Sequence, residues 1–289
     1  MDFFLSAILQ GLCFSGLAFG IFISMKIFNI PDITTDGSYT LGGVVTAILL
    51  TKEFPAAAVL PLVVFAGAVA GAITGFVHTK LRINPLLSGI LVMTALYSVN
   101  LTLMGRSNIP LINTVTLFSA INIFENPIQN TLIIILFFVF VLAAILVYLL
   151  KTDFGIAMRA TGNSETMIRA LGVNTDRMKI TGLAIANALT ALSGYLITQL
   201  QGFSDINMGI GIVIVGLGSV IIGETFLSRF GITSIAAGLT LVLAGAVIFQ
   251  LVLAFSLSLG IDATLLKLVT SVFVLLIVSL PRFVLRKAG

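Results

Sequence analysis

The sequence predicts an all-α polytopic membrane protein of eight to ten transmembrane or broken membrane helices. Three observations carry that prediction. The 289 residues are 58% hydrophobic, with a mean hydropathy of +1.19. Only 9% are charged, against about 25% in a soluble domain. The apolar residues come in runs near the ~20 residues that cross a bilayer, separated by short polar turns. No soluble core could hide so much apolar surface, so lipid is the main solvent. The polar remainder is too small for a separate globular unit, and residues 1–289 read as a single transmembrane domain. The net charge of +4 comes from basic residues at span ends and gives no reason to expect nucleic acid. The single cysteine, Cys13, permits neither an intrachain disulfide nor a cysteine metal cluster.

The start, Met1-Asp2, lacks the basic region of a cleavable signal peptide, so the run at 7–28 is expected to remain as the first span. Its Gly11, Gly16 and Gly20 suit close helix approach. Next comes 30–43, IPDITTDGSYTLGG. Pro31 interrupts a helix, and Asp32, Thr34, Thr35, Asp36 and Ser38 crowd ahead of a short apolar run at 40–50. One reading is an unwound stretch leading into a half-helix that lines a cavity, which makes Asp32, Thr34, Asp36 and Ser38 candidates for a translocation path. The other is an ordinary loop with turn chemistry. Whether 40–51 spans or re-enters changes the crossing count by one.

The span at 56–77 carries Gly67, Gly71 and Gly75, two overlapping GxxxG spacings that call for a tight contact within the chain or with another. His78, Lys80 and Arg82 mark its cytoplasmic end. His78 has no companion ligand for a metal. In the span at 86–104, Thr94, Tyr97 and Asn100 fall three apart and could share a face, either lining a path or hydrogen-bonding between helices. The irregular segment 106–130 lies outside by alternation, and 131–150 is a clear span.

Residues 151–179, KTDFGIAMRATGNSETMIRALGVNTDRMK, form the longest hydrophilic interval. Lys151, Arg159, Arg169, Arg177 and Lys179 place it in the cytoplasm. Asn163 and Ser164 offer cap oxygens, Glu165 and Arg169 match a helix dipole, and Gly172 suits a stop. Ser164, Met167, Ile168 and Leu171 recur at helical spacing. The result is a helix of about two turns with an apolar stripe, resting on its own protein or offered to a partner's groove.

Further spans follow at 181–200, 210–223, 232–255 and 265–280, with Lys267 snorkelling to the headgroups. Asp205 follows the first of these much as Asp32 follows the run at 7–28. That suggests two weakly related halves beginning near residues 7 and 181. Counting from the basic ends places the amino terminus outside.

The run 154–199 resembles the permease subunits of ABC importers of the branched-chain amino acid and ribose class. The match runs through FG-(x)3-RA-(x)4-ETMIRALGVNTDR-(x)-K and the LSG at 192–194 in the next helix. The resemblance implies that 151–179 is a cytoplasmic coupling loop docking into a cleft of an ATP-hydrolysing subunit. Ser164, Glu165, Met167, Ile168, Arg169, Leu171 and Gly172 would make that contact. PDITTDGSYTLGG resembles the second-helix region of a subgroup paired with lipoprotein-type binding proteins, some linked to aromatic amino acids. The resemblance further implies two permeases in the bacterial inner membrane that enclose a central path and take solute from an extracytoplasmic binding protein; a homodimer of this chain is expected, with a second, related permease as the alternative. An amino acid is the first substrate to consider, and a sugar or nucleoside the second.

No catalytic motif accompanies this. The chain lacks G-x-x-x-x-G-K-[ST], HExxH, CxxC and GxSxG, so no enzyme activity, cofactor or resident metal is expected of it. Two rivals remain at this point. An ion-coupled secondary transporter would use Asp32, Asp36 or Asp205 as proton or sodium sites. A membrane scaffold would not require the polar breaks.

Overall fold

The structure is a computed structural model describing residues 2–121, 124–231, 234–262 and 265–286. Helix α1 (Asp2–Cys13), α2 (Ser15–Ile21) and a π-helical turn (Phe22–Ile27) together make the first span, Phe3–Ile27. After α3 (Thr34–Thr51) come α4 (Ala56–Thr79), α5 (Pro85–Met104), strand β1 (Asn108–Pro110) and a single turn, α6 (Leu117–Ala120). Helix α7 (Pro127–Lys151) then leads to two short helices, α8 (Asp153–Asn163) and α9 (Glu165–Ala170). The chain ends with α10 (Thr175–Gln201), strand β2 (Phe203–Asp205), α11 (Ile212–Phe230), α12 (Ile235–Ser258) and α13 (Leu266–Arg286).

Six described helices are long and apolar enough to cross a bilayer, and α11 and α13 contain shorter apolar helices. Helix α3, whose 18 residues cover about 27 Å, is not among them, being more polar and largely buried. The expectation of eight to ten segments therefore holds. Several boundaries need correction. The break is confined to 28–33, and Thr34, Asp36 and Ser38 lie inside α3 rather than in an unwound stretch. The apolar run at 40–50 is the continuation of that helix. The first five residues of α10 belong to the interval read as a loop at 151–179.

Helix α4 lays its glycine face on α10. A Cβ at Gly67 would lie 2.6 Å from the Asn187 carbonyl oxygen, and one at Gly75 would lie 2.7 Å from the Ile180 Cα. At Gly71 it would overlap the Leu183 carbonyl. The partner of the GxxxG face is thus in the same chain, as expected where small residues let backbones meet in lipid.

The packing is symmetric under one exchange of elements. Helix α4 packs on α10 as α12 packs on α1, and α3 packs on α10 as α11 packs on α2. Likewise α3 contacts α4 and α5, and α11 contacts α12 and α13. Elements before α7 and after α9 thus supply helices to each other's core. Helix α7 leans on α1 and α12. Its Phe137, Phe140, Ile145 and Tyr148 remain exposed, as a lipid-facing surface requires. Strands β1 and β2 pair antiparallel, Ile109 opposite Ser204.

Candidate functional site

Two polar constructions stand out, one inside the bundle and one at the end that carries α8 and α9. The inner one begins at Asp32. Its Oδ1 accepts the Thr34 N–H at 2.9 Å, which starts α3. Its Oδ2 accepts from the Asn187 amide of α10 at 2.7 Å. Asn187 Oδ1 in turn accepts the Ser38 hydroxyl at 2.7 Å, and the hydroxyls of Thr34 and Thr74 meet at 2.8 Å. Asp32, Thr34, Ser38, Thr74 and Asn187 are all buried. This satisfied network bolts α3 to α4 and α10. Polar side chains at that depth must find partners within the protein.

Asp36 reaches across to the other half. Its Oδ2 accepts the Gly211 N–H at 2.8 Å and its Oδ1 the Val213 N–H at 2.9 Å. These amides belong to the start of α11, whose N-cap Gly211 has φ +82°. A carboxylate from α3 therefore serves as the helix cap and complements the dipole. At its opposite end α11 is tied to the first half again, Glu224 to Lys26 at 2.9 Å.

The structure divides the residues expected to line a path. Thr94 and Tyr97 are exposed on α5. Asn100 is fully buried instead, donating to the Gly37 carbonyl at 3.3 Å. The three do not share a face, because steps of three fall behind a 3.6-residue turn by about 60° each. A cavity of about 40 Å³ does bring Asp36, Thr40, Tyr97 and Asn100 together with Gly209 and Ile210. The Asn100 Oδ1 is buried without a partner. Asp205 stands elsewhere, in the β1–β2 ribbon, accepting from Asn108 at 3.4 Å and from the Asn207 N–H at 2.8 Å. It is not the counterpart of Asp32 in any shared site.

At the end of the bundle below α7, Thr152 caps α8 by accepting the Gly155 N–H at 3.4 Å. A Cβ at Gly162 would overlap the Ile27 carbonyl, so glycine lets α8 sit directly on the π turn. Helix α9 is six residues long, shorter than expected. The Ser164 backbone is extended, and its side chain makes no cap hydrogen bond. The helix closes in a Schellman turn: Gly172 has φ +86°, its N–H reaches the Arg169 carbonyl, and the Val173 N–H reaches that of Ile168.

The charged side of α9 turns toward its own chain. Glu165 accepts from Lys179 at 2.6 Å and from Arg169 at 2.9 Å. Thr175 joins Arg169 at 2.8 Å and Glu165 at 3.2 Å. Asp176 pairs with Lys80 at 2.9 Å, so the network reaches the end of α4. The Lys179 hydrogen bond holds the Glu165 carboxyl below its usual range. Met167 and Leu171 point away, 64% and 69% exposed, while Ile168 is half-buried. A cleft of about 1020 Å³ separates this network from the α4–α5 turn, with Lys80, Arg82, Glu165, Arg169 and Lys179 on its walls.

Sequence reasoning missed Asn187, Thr74, Thr175 and Asp176. Asn187 left a signal, since an amide in mid-span must bond another helix. The pairing of Asp176 with Lys80 left none.

The chain belongs to the family described as branched-chain amino acid transport system permease components, whose model matches residues 3–280. It is 40% identical over 275 residues to the tyrosine transport system permease protein of Clostridioides difficile (strain R20291), covering 95% of this chain and 90% of that one. An uncharacterized protein of Rickettsia prowazekii (strain Madrid E) is 35% identical over 281 residues, covering 96% and 98%. Among solved structures, an ABC transporter chain in an inward-facing conformation shares the fold. Its TM-score is 0.57 at 16% identity, covering 96% of this chain and 85% of that one.

The protein is therefore a multi-pass inner-membrane permease of an ABC importer. It is a transport subunit rather than an enzyme, and it works with a separate ATPase and a substrate-binding protein. The ion-coupled and scaffold readings fall away.

Proposed function

We propose that residues 151–179 are the coupling loop of this importer within a single permease domain, and that α9 with Leu171 is the surface the ATPase grips. One observation carries this: α9 buries none of its side chains, and its apolar Met167 and Leu171 face water while its charges are bound to its own chain. Apolar side chains exposed in this way suit a partner's groove. Glu165 and Arg169 then transmit the motion. They hold the first turns of α10, and Asp176 holds α4 through Lys80. These helices grip α3 through Asn187 and Thr74. Displacing α9 thus displaces the core.

The path is proposed to run along the exposed face of α5, where Thr94, Tyr97 and Ser98 set polar groups among apolar side chains. A second copy of the chain would supply the facing wall, giving a homodimer. The niche of Asp36, Tyr97 and Asn100 opens beside that wall. An amino acid, aromatic by similarity to the tyrosine permease, is the solute this reading favours, delivered by a lipoprotein-type binding protein.

The test is co-purification of the ATPase with wild-type chain and with Leu171→Asp. Loss of the ATPase, with the permease still monodisperse, is the expected result. Undiminished co-purification would remove α9 as the main contact. Uptake of tyrosine by the reconstituted transporter, unaffected by excess ribose, would support the substrate assignment.

A further inference from the structure

Beside α8, a cavity of about 260 Å³ opens between the π turn, the end of α7 and the start of α12. Phe22, Leu150 and Ile235 give it an apolar side; Lys26, Arg159 and Asn163 give it a polar one. Lys26 ends the first span, Leu150 stands one residue before the end of α7, and Ile235 opens α12. The cavity therefore lies at the depth of the inner-leaflet headgroups. Its rim is built closely: Gly162 rests on the Ile27 carbonyl, and the Asn29 amide donates to the Gly162 carbonyl at 3.2 Å.

The charges are unequal. Lys26 is paired with Glu224 at 2.9 Å. The Arg159 Nε reaches only the Gly155 carbonyl, at 3.4 Å, and among the described residues no carboxylate pairs with its guanidinium. A cation at a cavity that also has apolar lining matches a molecule with an anionic head and a hydrocarbon tail. We infer that this cavity binds an anionic phospholipid of the inner leaflet. Its phosphate sits on Arg159, with Lys26 as second donor, and an acyl chain leaves over Phe22, Leu150 and Ile235. Guanidinium donors fit phosphate oxygens in pairs, and basic pockets between membrane helices hold anionic headgroups. The lipid would brace α8 against the π turn, next to the segment that meets the ATPase.

The experiment reconstitutes the permease with its ATPase in nanodiscs of equal phosphatidylglycerol and phosphatidylcholine. The complex is then washed in detergent, and retained lipids are counted by native mass spectrometry. Wild type should retain phosphatidylglycerol over phosphatidylcholine by about fivefold, the scale of one interfacial cation. Arg159→Gln should bring that ratio near one, Arg159→Lys should keep part of it, and Lys52→Gln at the outer turn should leave it unchanged. Ile235→Trp, which fills the apolar side and touches no charge, should reduce retention of both lipids. Three results would overturn the site: an unchanged ratio in monodisperse Arg159→Gln, release of the lipid by millimolar inorganic phosphate alone, or loss of the ATPase from Arg159→Gln with the lipid ratio intact. The second would indicate a free-anion site and the third an ATPase contact.

Discussion

Helices α3 and α9 invert one another. Thr34, Thr35, Asp36, Ser38, Thr40 and Thr46 of α3 are all buried. Helix α9 has no fully buried residue, and Met167 with neighbouring Leu171 presents apolar surface outward. The difference follows from the solvent. Within lipid, apolar side chains gain nothing by leaving hydrocarbon for one another's company, so hydrogen bonds and close backbone packing join the helices. Outside it the hydrophobic effect returns, and an apolar stripe left in water marks a surface completed by another protein.

The contrast can be attacked from either end. Asn187→Leu should be the most damaging change. It leaves the buried Asp32 carboxyl and the Ser38 hydroxyl without their partner, a cost of about 2–3 kcal/mol, read as a lowered Tm in detergent. If Tm holds, the polar core is not what joins α3 to α10. Asp36→Ala removes the cap from α11 and should cost about 1–2 kcal/mol, with protease sensitivity appearing first around residues 206–214.

A pH titration probes the cytoplasmic network more gently. Because Lys179 depresses the Glu165 pKa, the network's contribution is complete above the ordinary glutamate value of about 4.3 and fades as pH falls through the lower, folded value. Stability should be level from neutrality to about pH 5 and then decline more steeply in wild type than in Glu165→Gln. Leu171→Asp closes the series. It should move stability by no more than about 0.5 kcal/mol while abolishing ATPase capture, which would separate a docking side chain from a structural one.

The spans are legible in the sequence because an apolar run of membrane length rarely arises anywhere but in a bilayer. The cytoplasmic helix is legible because its start, stop and periodicity are local, although the cap expected of Ser164 does not form. Helix α3 is hard to read for the opposite reason. Its polar residues resemble a loop until their partners are known, and those lie far along the chain: Asn187 is 155 residues from Asp32, and Gly211 is 175 from Asp36. Thr94, Tyr97 and Asn100 share a spacing but not a face, and only the last two meet in one niche; spacing cannot say where a helix face turns from surface to core.

The crossed packing of the halves has a consequence for biogenesis. The glycine face of α4 is completed only by α10, which is synthesised about a hundred residues later. At ordinary rates of elongation that is a delay of about 5–20 s. Throughout it, Gly67, Gly71 and Gly75 must wait in lipid or on an insertion factor, and the polar residues of α3 wait with them for Asn187. The first half of this permease is therefore a prolonged insertion intermediate, and a chain truncated before α10 should be a substrate for membrane quality control rather than a stable fragment.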